Sequence, residues 1–213
     1  MAATYAALVT EVRDFLNRAD LTEAQIGTFI ALAESNMNSK LRVREMVERA
    51  TATLNAEYEY VPSNFLEARR IYISNTTPTH ELRAMSPQAL IRAHPSASTG
   101  RPRAYSVVSS QMQFKPAPDS ASTYVIEMSF YATLPGLTDA NQTNSVLSRY
   151  PNLYLFSVCC EASTYLLDDQ GLQRYAGMRD RLIDEANTAT EMHQYAAGPL
   201  VAESHHGVEG RFR

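Results

Sequence analysis

The spacing of apolar residues changes twice along the chain, from a helical period to an alternating one and back. Helical spacing runs from about residue 5 to 45 and returns from about 148 to 196. Alternating and β-branched residues fill the stretch between, from about 47 to 135. Because an amphipathic helix must bury its apolar face, we expect the two helical stretches to pack on each other. The pattern therefore predicts a helical bundle that carries a β-rich insertion.

Two amphipathic helices are predicted before the insertion. The first spans about Tyr5 to Arg18, and the second follows Thr22, where Gln25 completes a capping box. The short turn Ala19-Asp20-Leu21 joins them, so we expect an antiparallel pair. Their apolar faces consist of Leu8, Val9, Val12, Phe15 and Leu16 in the first helix, and Ile26, Phe29, Ile30, Ala33, Met37 and Leu41 in the second.

The insertion is predicted to be a small antiparallel sheet. Most of the prolines lie in it or at its edges, and Pro116 and Pro118 before Asp119-Ser120 predict a hairpin-like turn into the last strand. One short helix should lie within the insertion, with Ser86 as its N-cap. The predicted segments are strands at about 50–54, 58–60, 70–74, 105–114 and 124–132, and the helix at 87–93.

The second helical stretch begins near Pro151, which suits the first turn of a helix. Residues 168–171 interrupt its period, so it is either one bent helix or two helices. The helix should end near Tyr195, before Gly198-Pro199. The fold class is then mainly α with inserted antiparallel β, as a single domain over residues 1–198 followed by an extended C-terminal arm over 199–213.

Composition excludes several classes of protein. The chain of 213 residues has a formal net charge of −4, without the basic excess of a nonspecific DNA-binding protein. The N-terminus lacks the pattern of a signal peptide, and no apolar run reaches the roughly 18 residues of a membrane span. The two cysteines, Cys159 and Cys160, are adjacent in a helical pattern, which does not favour a structural disulfide.

A search for catalytic and ligand-binding motifs predicts no enzyme, cofactor or metal site. The chain has no glycine-rich phosphate loop, nucleophile elbow or zinc-protease helix. Cys159-Cys160 is better explained as packing inside a helix, and His205-His206 as a solvated tail. Asp168-Asp169 is better explained as the cap of the next helix than as a catalytic pair.

Two features predict contacts between subunits. The loop Gly100-Arg101-Pro102-Arg103 holds too few cations to bind nucleic acid alone, so a salt bridge or a subunit contact is favoured. Among 12 tyrosines, Tyr58, Tyr60 and Tyr105 lie in or beside strands, where tyrosine serves either an interface or the core. The candidate interface residues are therefore Arg101, Arg103, Tyr58, Tyr60 and Tyr105.

The order of several phrases over residues 4 to about 195 resembles the phage adaptor family of head-to-tail connector proteins. The phrases are TYAAL at 4–8, DFLNRADLTEAQIGTFIALAESNMNSKLRVREM at 14–46, VPSNFLE at 61–67, GRPRAY at 100–105, FKPAP at 114–118, YATLPGL at 131–137 and TNSVLSRYPNLYLFSVCCEASTYLLDD at 143–169.

The resemblance implies a structural protein of the virion, made in the cytoplasm of the bacterial host. Such adaptors form a ring, usually of twelve copies, beneath the portal protein, where they extend the DNA channel without specific DNA binding. They offer a platform to the downstream tail or nozzle protein. The family has no catalytic residues. A C-terminal segment reaches the portal in related adaptors, so portal-docking residues are expected at Leu200, Val201, Val208 and Phe212.

Two other functions stay open at this stage. A stopper or tail-completion protein would occupy the same connector, although stoppers are usually smaller and richer in strands. A small-molecule enzyme or a helical regulatory protein would assemble its site from scattered residues.

Overall fold

The computed structural model describes residues 2–95, 99–120 and 122–195. These residues form six α-helices and eight strands, where the sequence predicted five strands. The helices are α1 (Tyr5–Leu16), α2 (Glu23–Lys40), α3 (Pro87–Ala93), α4 (Ser145–Arg149), α5 (Pro151–Tyr165) and α6 (Asp169–Tyr195). The strands are β1 (Val47–Leu54), β2 (Tyr58–Tyr60), β3 (Phe65–Ile73), β4 (His80–Glu81), β5 (Arg83–Ala84), β6 (Ala104–Val108), β7 (Gln111–Lys115) and β8 (Tyr124–Ala132).

Local chemistry sets the helix ends. At the start of α2 the Gln25 amide donates to Thr22 Oγ at 3.3 Å, and the Thr22 amide donates to Gln25 Oε1 at 2.8 Å. This confirms the predicted capping box. Asn17 ends α1 in the left-handed conformation, with φ 51°. Ser86 caps α3 with Pro87 in its first turn, as predicted.

The helices α1, α2, α4, α5 and α6 form one layered core, which we call the helical module. Its centre holds Leu8, Ile26, Ile30, Met37, Leu147 and Tyr154, all fully buried. The first two helices therefore pack on the last ones, as the return of the helical period predicts. Of the two interpretations of residues 168–171, the structure has the break: α5 ends at Tyr165, and Leu167 turns the chain with φ 55°.

The insertion is larger than one small sheet, and this corrects the predicted fold class from mainly α to mixed α and β. Two four-stranded sheets, in the orders β1-β8-β3-β4 and β2-β7-β6-β5, pack face to face as a sandwich. The pairing is antiparallel except between β5 and β6, which run parallel. Along β8 alternate residues are buried, from Tyr124 to Ala132, and they supply the centre of the sandwich. We call residues 47–132 the β module.

Two predicted details of the insertion are wrong. The stretch 105–114 is not one strand, because a turn at Ser109-Ser110 folds it into the hairpin of β6 and β7. The predicted hairpin-like turn between β7 and β8 is not found, because these two strands belong to different sheets. Period-2 spacing identifies a strand but not the sheet to which it belongs.

Arg42 joins the two modules just after α2. Its amide donates to Asn187 Oδ1 on α6 at 2.8 Å, and its Nε donates to Glu67 Oε2 on β3 at 2.9 Å. The guanidinium also lies 5.7 Å from the ring centre of Tyr131 on β8. One residue therefore contacts the last helix and both central strands of one sheet.

A buried polar network anchors the return from the β module to the helices. Glu34 Oε1 on α2 accepts from the Leu137 amide at 3.0 Å and from the Tyr154 hydroxyl at 3.2 Å. Asn144 Nδ2 donates to Tyr154 Oη at 2.6 Å. Burial raises the pKa of Glu34 and also that of Tyr154. These bonds tie the loop before α4 to the middle of α2.

Candidate assembly surfaces

The cysteine pair is packed rather than reactive. Cys159 and Cys160 are buried in α5, and both are free thiols. Burial raises the pKa of Cys159 to about 12 and raises that of Cys160 as well. Arg179 Nη1 donates to Cys160 Sγ at 3.3 Å. Since a thiolate is the reactive form, burial disfavours reaction at these two thiols.

The acidic pair caps a helix, as predicted. Asp168 Oδ1 accepts from the Gly171 amide at 3.0 Å at the start of α6, and Asp169 lies in the first turn. Gly171 is required for this close approach. A Cβ there would meet Asp168 Oδ2 at 2.1 Å and Ser163 Oγ at 3.0 Å.

The histidines do not converge on a common centre within the described residues. His80 on β4 contacts Arg101 Nη1 through Nε2 at 2.7 Å, while His94 is half-buried after α3. His205 and His206 lie outside the described part. Across residues 2–95, 99–120 and 122–195 no group of three or more metal-ligating side chains comes together.

Four of the five predicted interface residues have exposed side chains, and they lie on two different edges. On β2, Tyr58 is 46% exposed and Tyr60 is 79% exposed. Arg101 and Arg103 are exposed before β6. Tyr105 is placed differently from the prediction, because its side chain is 5% exposed and packs beside Phe114 inside the sandwich. It belongs to the core of the β module.

One edge of the sandwich is formed by β1, residues 55–57 and β2, and we call it the open edge. β1 pairs with β8 over its full length without a register shift. Its other side has no backbone partner within the described residues. Between β1 and β2 an apolar cleft of about 250 Å³ reaches the core, lined by Ala50, Ala52, Tyr60, Met112, Phe114 and Met128.

The open edge has more carboxylates than cations. Glu48 accepts from Asn64 Nδ2 at 2.8 Å, and Glu59 Oε1 accepts from the Asn55 amide at 2.9 Å. Both partners are neutral groups rather than cations. Glu57 pairs with Lys115 at 2.9 Å, and Arg49 pairs with Glu127.

The opposite edge is formed by β4, Leu82, β5 and residues 101–103, and we call it the basic edge. Leu82 is buried where the chain crosses from one sheet to the other. The Arg83 amide donates to the Arg103 carbonyl at 3.0 Å, which places these two residues side by side. Neither guanidinium has a carboxylate partner among the described residues. Beside this edge, Arg70 of β3 pairs with Glu81 at 3.0 Å, and the contact that Arg101 makes within the described part of the chain is to the imidazole of His80.

Sequence reasoning did not find Arg83, Glu48 or Glu59. Arg83 lies in a two-residue strand that has no period, and a single charge carries no signal of which edge it joins. The predicted portal-docking residues Leu200, Val201, Val208 and Phe212 lie outside the described residues.

Among the helices of the described residues, none combines the length and apolar character needed to cross a membrane. The comparison with protein-family models matches residues 3–202 to a family described as SU10 adaptor protein. No curated protein is significantly similar to the chain.

Proposed function

We propose that this chain, which belongs to the SU10 adaptor protein family, a family of phage head-to-tail adaptors, forms a ring beneath the portal of a tailed phage. The observation that carries the proposal is the extent of the family match, which covers residues 3–202 and so includes both modules. The ring, which we expect to hold twelve copies, extends the DNA channel and presents a platform to a downstream tail or nozzle protein.

The role is structural rather than catalytic. The cysteines are buried with raised pKa values, and the acidic pair caps a helix, so these candidate nucleophiles and acids already serve packing and capping. The long α5 and α6 favour an adaptor over a stopper, which is usually smaller and richer in strands.

Contact with the portal is assigned to the C-terminal segment, through Leu200, Val201, Val208 and Phe212. These apolar residues follow α6, whose Asn187 lies beside Arg42 at the junction of the modules. Leu200 and Val201 fall within the family match, whereas Val208 and Phe212 fall beyond it.

Copurification with the affinity-tagged portal protein of the same phage genome tests this assignment. We expect the full chain to be retained, and a variant with serine at all four apolar positions to be lost. The matched control replaces Glu203, His205 and His206 in the same segment by alanine and should be retained. Retention of the serine variant would refute the docking residues. Failure of the full chain to bind the portal would favour a stopper that needs another partner.

A further inference from the structure

We propose that neighbouring copies of the chain meet through their β modules, with the open edge of one copy against the basic edge of the next. This rests on the proposed function, because it names the two surfaces by which copies in the ring would touch. A contact between two different surfaces is heterologous, and repetition of such a contact closes a ring when the rotation permits.

The topology places these two surfaces on opposite sides of each subunit. β1 and β2 are the first strands of their sheets and are joined by residues 55–57. β4 and β5 are the last strands and are joined by Leu82 alone. With strands about 4.8 Å apart, the edges are separated by roughly 14 Å of sheet. Each copy therefore offers one edge to either side.

The two edges have opposite charge. The open edge itself carries Glu48, Glu57 and Glu59 against one cation, Arg49, which leaves an excess of two negative charges. The outside partners Lys115 and Glu127 cancel each other and do not change this excess. The basic edge holds three arginines, at 83, 101 and 103, against the single carboxylate of Glu81, which leaves an excess of two positive charges. Complementary potentials bring such surfaces together and oppose contact between like edges.

The charged side chains at each edge that have no ion-pair partner are available to contact the next copy. Arg83 and Arg103 have no carboxylate partner in the described residues, and Arg101 contacts only an imidazole. Across the sandwich, Glu48 and Glu59 are hydrogen-bonded by neutral groups. Each set lacks counter-ions that the opposite edge of a second copy supplies.

The backbone of the open edge permits close approach. Free edges are normally guarded by bulges or charged residues. β1 has no register shift, and residues 50–53 carry no charge. Beside it, Tyr60 is 79% exposed at the rim of the apolar cleft. Tyrosine at such a rim is typical of protein interfaces.

Charge reversal of one edge at a time tests the proposal on the full free chain. The open-edge variant is Glu48→Lys with Thr53→Lys, and the basic-edge variant is Arg83→Glu with Arg103→Glu. These exposed positions lie outside both cores, and circular dichroism verifies folding. The matched control, Glu191→Lys with Arg181→Glu, changes exposed charges of α6 instead. Sedimentation velocity at low and high salt reports self-association.

We expect the wild-type chain and the control to self-associate as concentration rises, and salt to weaken the association. Either edge variant alone should stay monomeric. An equal mixture of the two variants should associate, because both contacts in it join edges of opposite charge: the intact open edge meets the intact basic edge, and the reversed open edge meets the reversed basic edge. A chain with both edges reversed should associate again.

Three results would overturn the proposal: a wild-type chain that stays monomeric at low salt, association that survives either reversal, or a mixture of the two edge variants that stays monomeric. Loss of association in the α6 control alone would move the contact to the helices. The portal is absent from this experiment. Its result can therefore be interpreted even if the proposed binding to the portal is wrong.

Discussion

The helical module and the β module differ in where their polar groups lie: buried and paired in the first, exposed at the edges in the second. In the helical module Glu34, Tyr154 and Asn144 are buried and bonded to one another, and the buried Arg179 contacts Asp180 and Cys160. Among the residues that the structure describes in the β module, Arg83 and Arg103 are exposed without a carboxylate partner, and one side of β1 has no strand beside it. We therefore expect the helices to supply stability and, under the proposed contact between copies, the edges of the sandwich to supply recognition.

The largest effect on stability should come from the helical core. Ile30 on α2 is fully buried, so Ile30→Ala should lower the free energy of unfolding by about 2–5 kcal/mol, measured by urea denaturation. Leu32→Ala on the same helix is the matched control, because Leu32 is 51% exposed and should change stability by no more than about 0.5 kcal/mol. Equal losses of unfolding free energy in the two variants would contradict the assignment of stability to the helical core.

The next effect concerns the buried network. Glu34→Ala leaves the Leu137 amide and the Tyr154 hydroxyl without their acceptor, at a cost of about 1–3 kcal/mol for each group. Glu34→Gln keeps an acceptor oxygen and should lose much less. Thermal unfolding at neutral pH separates the two variants, and an equally stable Glu34→Ala would show that the network is dispensable.

The same residue predicts a pH dependence. Because burial raises the pKa of Glu34 above 4.5 in the folded chain, the folded state retains a proton that the unfolded state has released. Its contribution to the free energy of unfolding therefore falls as pH rises from 4.5 toward the raised pKa. Urea denaturation across this range should show the fall in the wild type, and Glu34→Gln should lack it. Identical pH profiles would contradict the assignment.

A smaller effect is expected at the break between α5 and α6. Gly171→Ala forces Asp168 away from its cap, so it should cost about 1–2 kcal/mol. Gly177→Ala lies in the same helix with nothing within 4 Å of the added Cβ, and should stabilise the chain by about 0.5–1 kcal/mol. Effects of the same sign on the melting temperature would refute this account of the cap.

The smallest effect on stability should come from the open edge. Tyr60→Ser removes a ring that is 79% exposed, so the free energy of unfolding should change by less than about 0.5 kcal/mol. Self-association should nevertheless weaken, which sedimentation velocity detects. A destabilised Tyr60→Ser chain with unchanged association would reverse the roles assigned to the two modules.

Features determined by neighbours in sequence could be predicted from the sequence. The capping box of Thr22 and Gln25, the Ser86-Pro87 helix start and the Asp168 cap each depend on residues within one turn. The division of the strands into two sheets could not be predicted, because it depends on pairings such as β1 with β8, which lie far apart in sequence. Tyr105 was misplaced for a related reason, since alternation defines two faces of a strand without showing which one is buried.

Which residues share an edge of the β module could not be predicted from the sequence. Arg83 and Arg103 are 20 positions apart and become neighbours only because β5 pairs with the start of β6. Tyr58 and Arg101 were both proposed as interface residues, but their separation onto opposite edges follows from the strand orders alone.

The most direct test of the adaptor function is electron microscopy of this chain coexpressed with the portal protein of the same phage genome. We predict a closed ring of the chain seated on the narrow end of the portal, with the channel continuous through both. An intact portal from which the chain separates as a folded monomer would contradict the account.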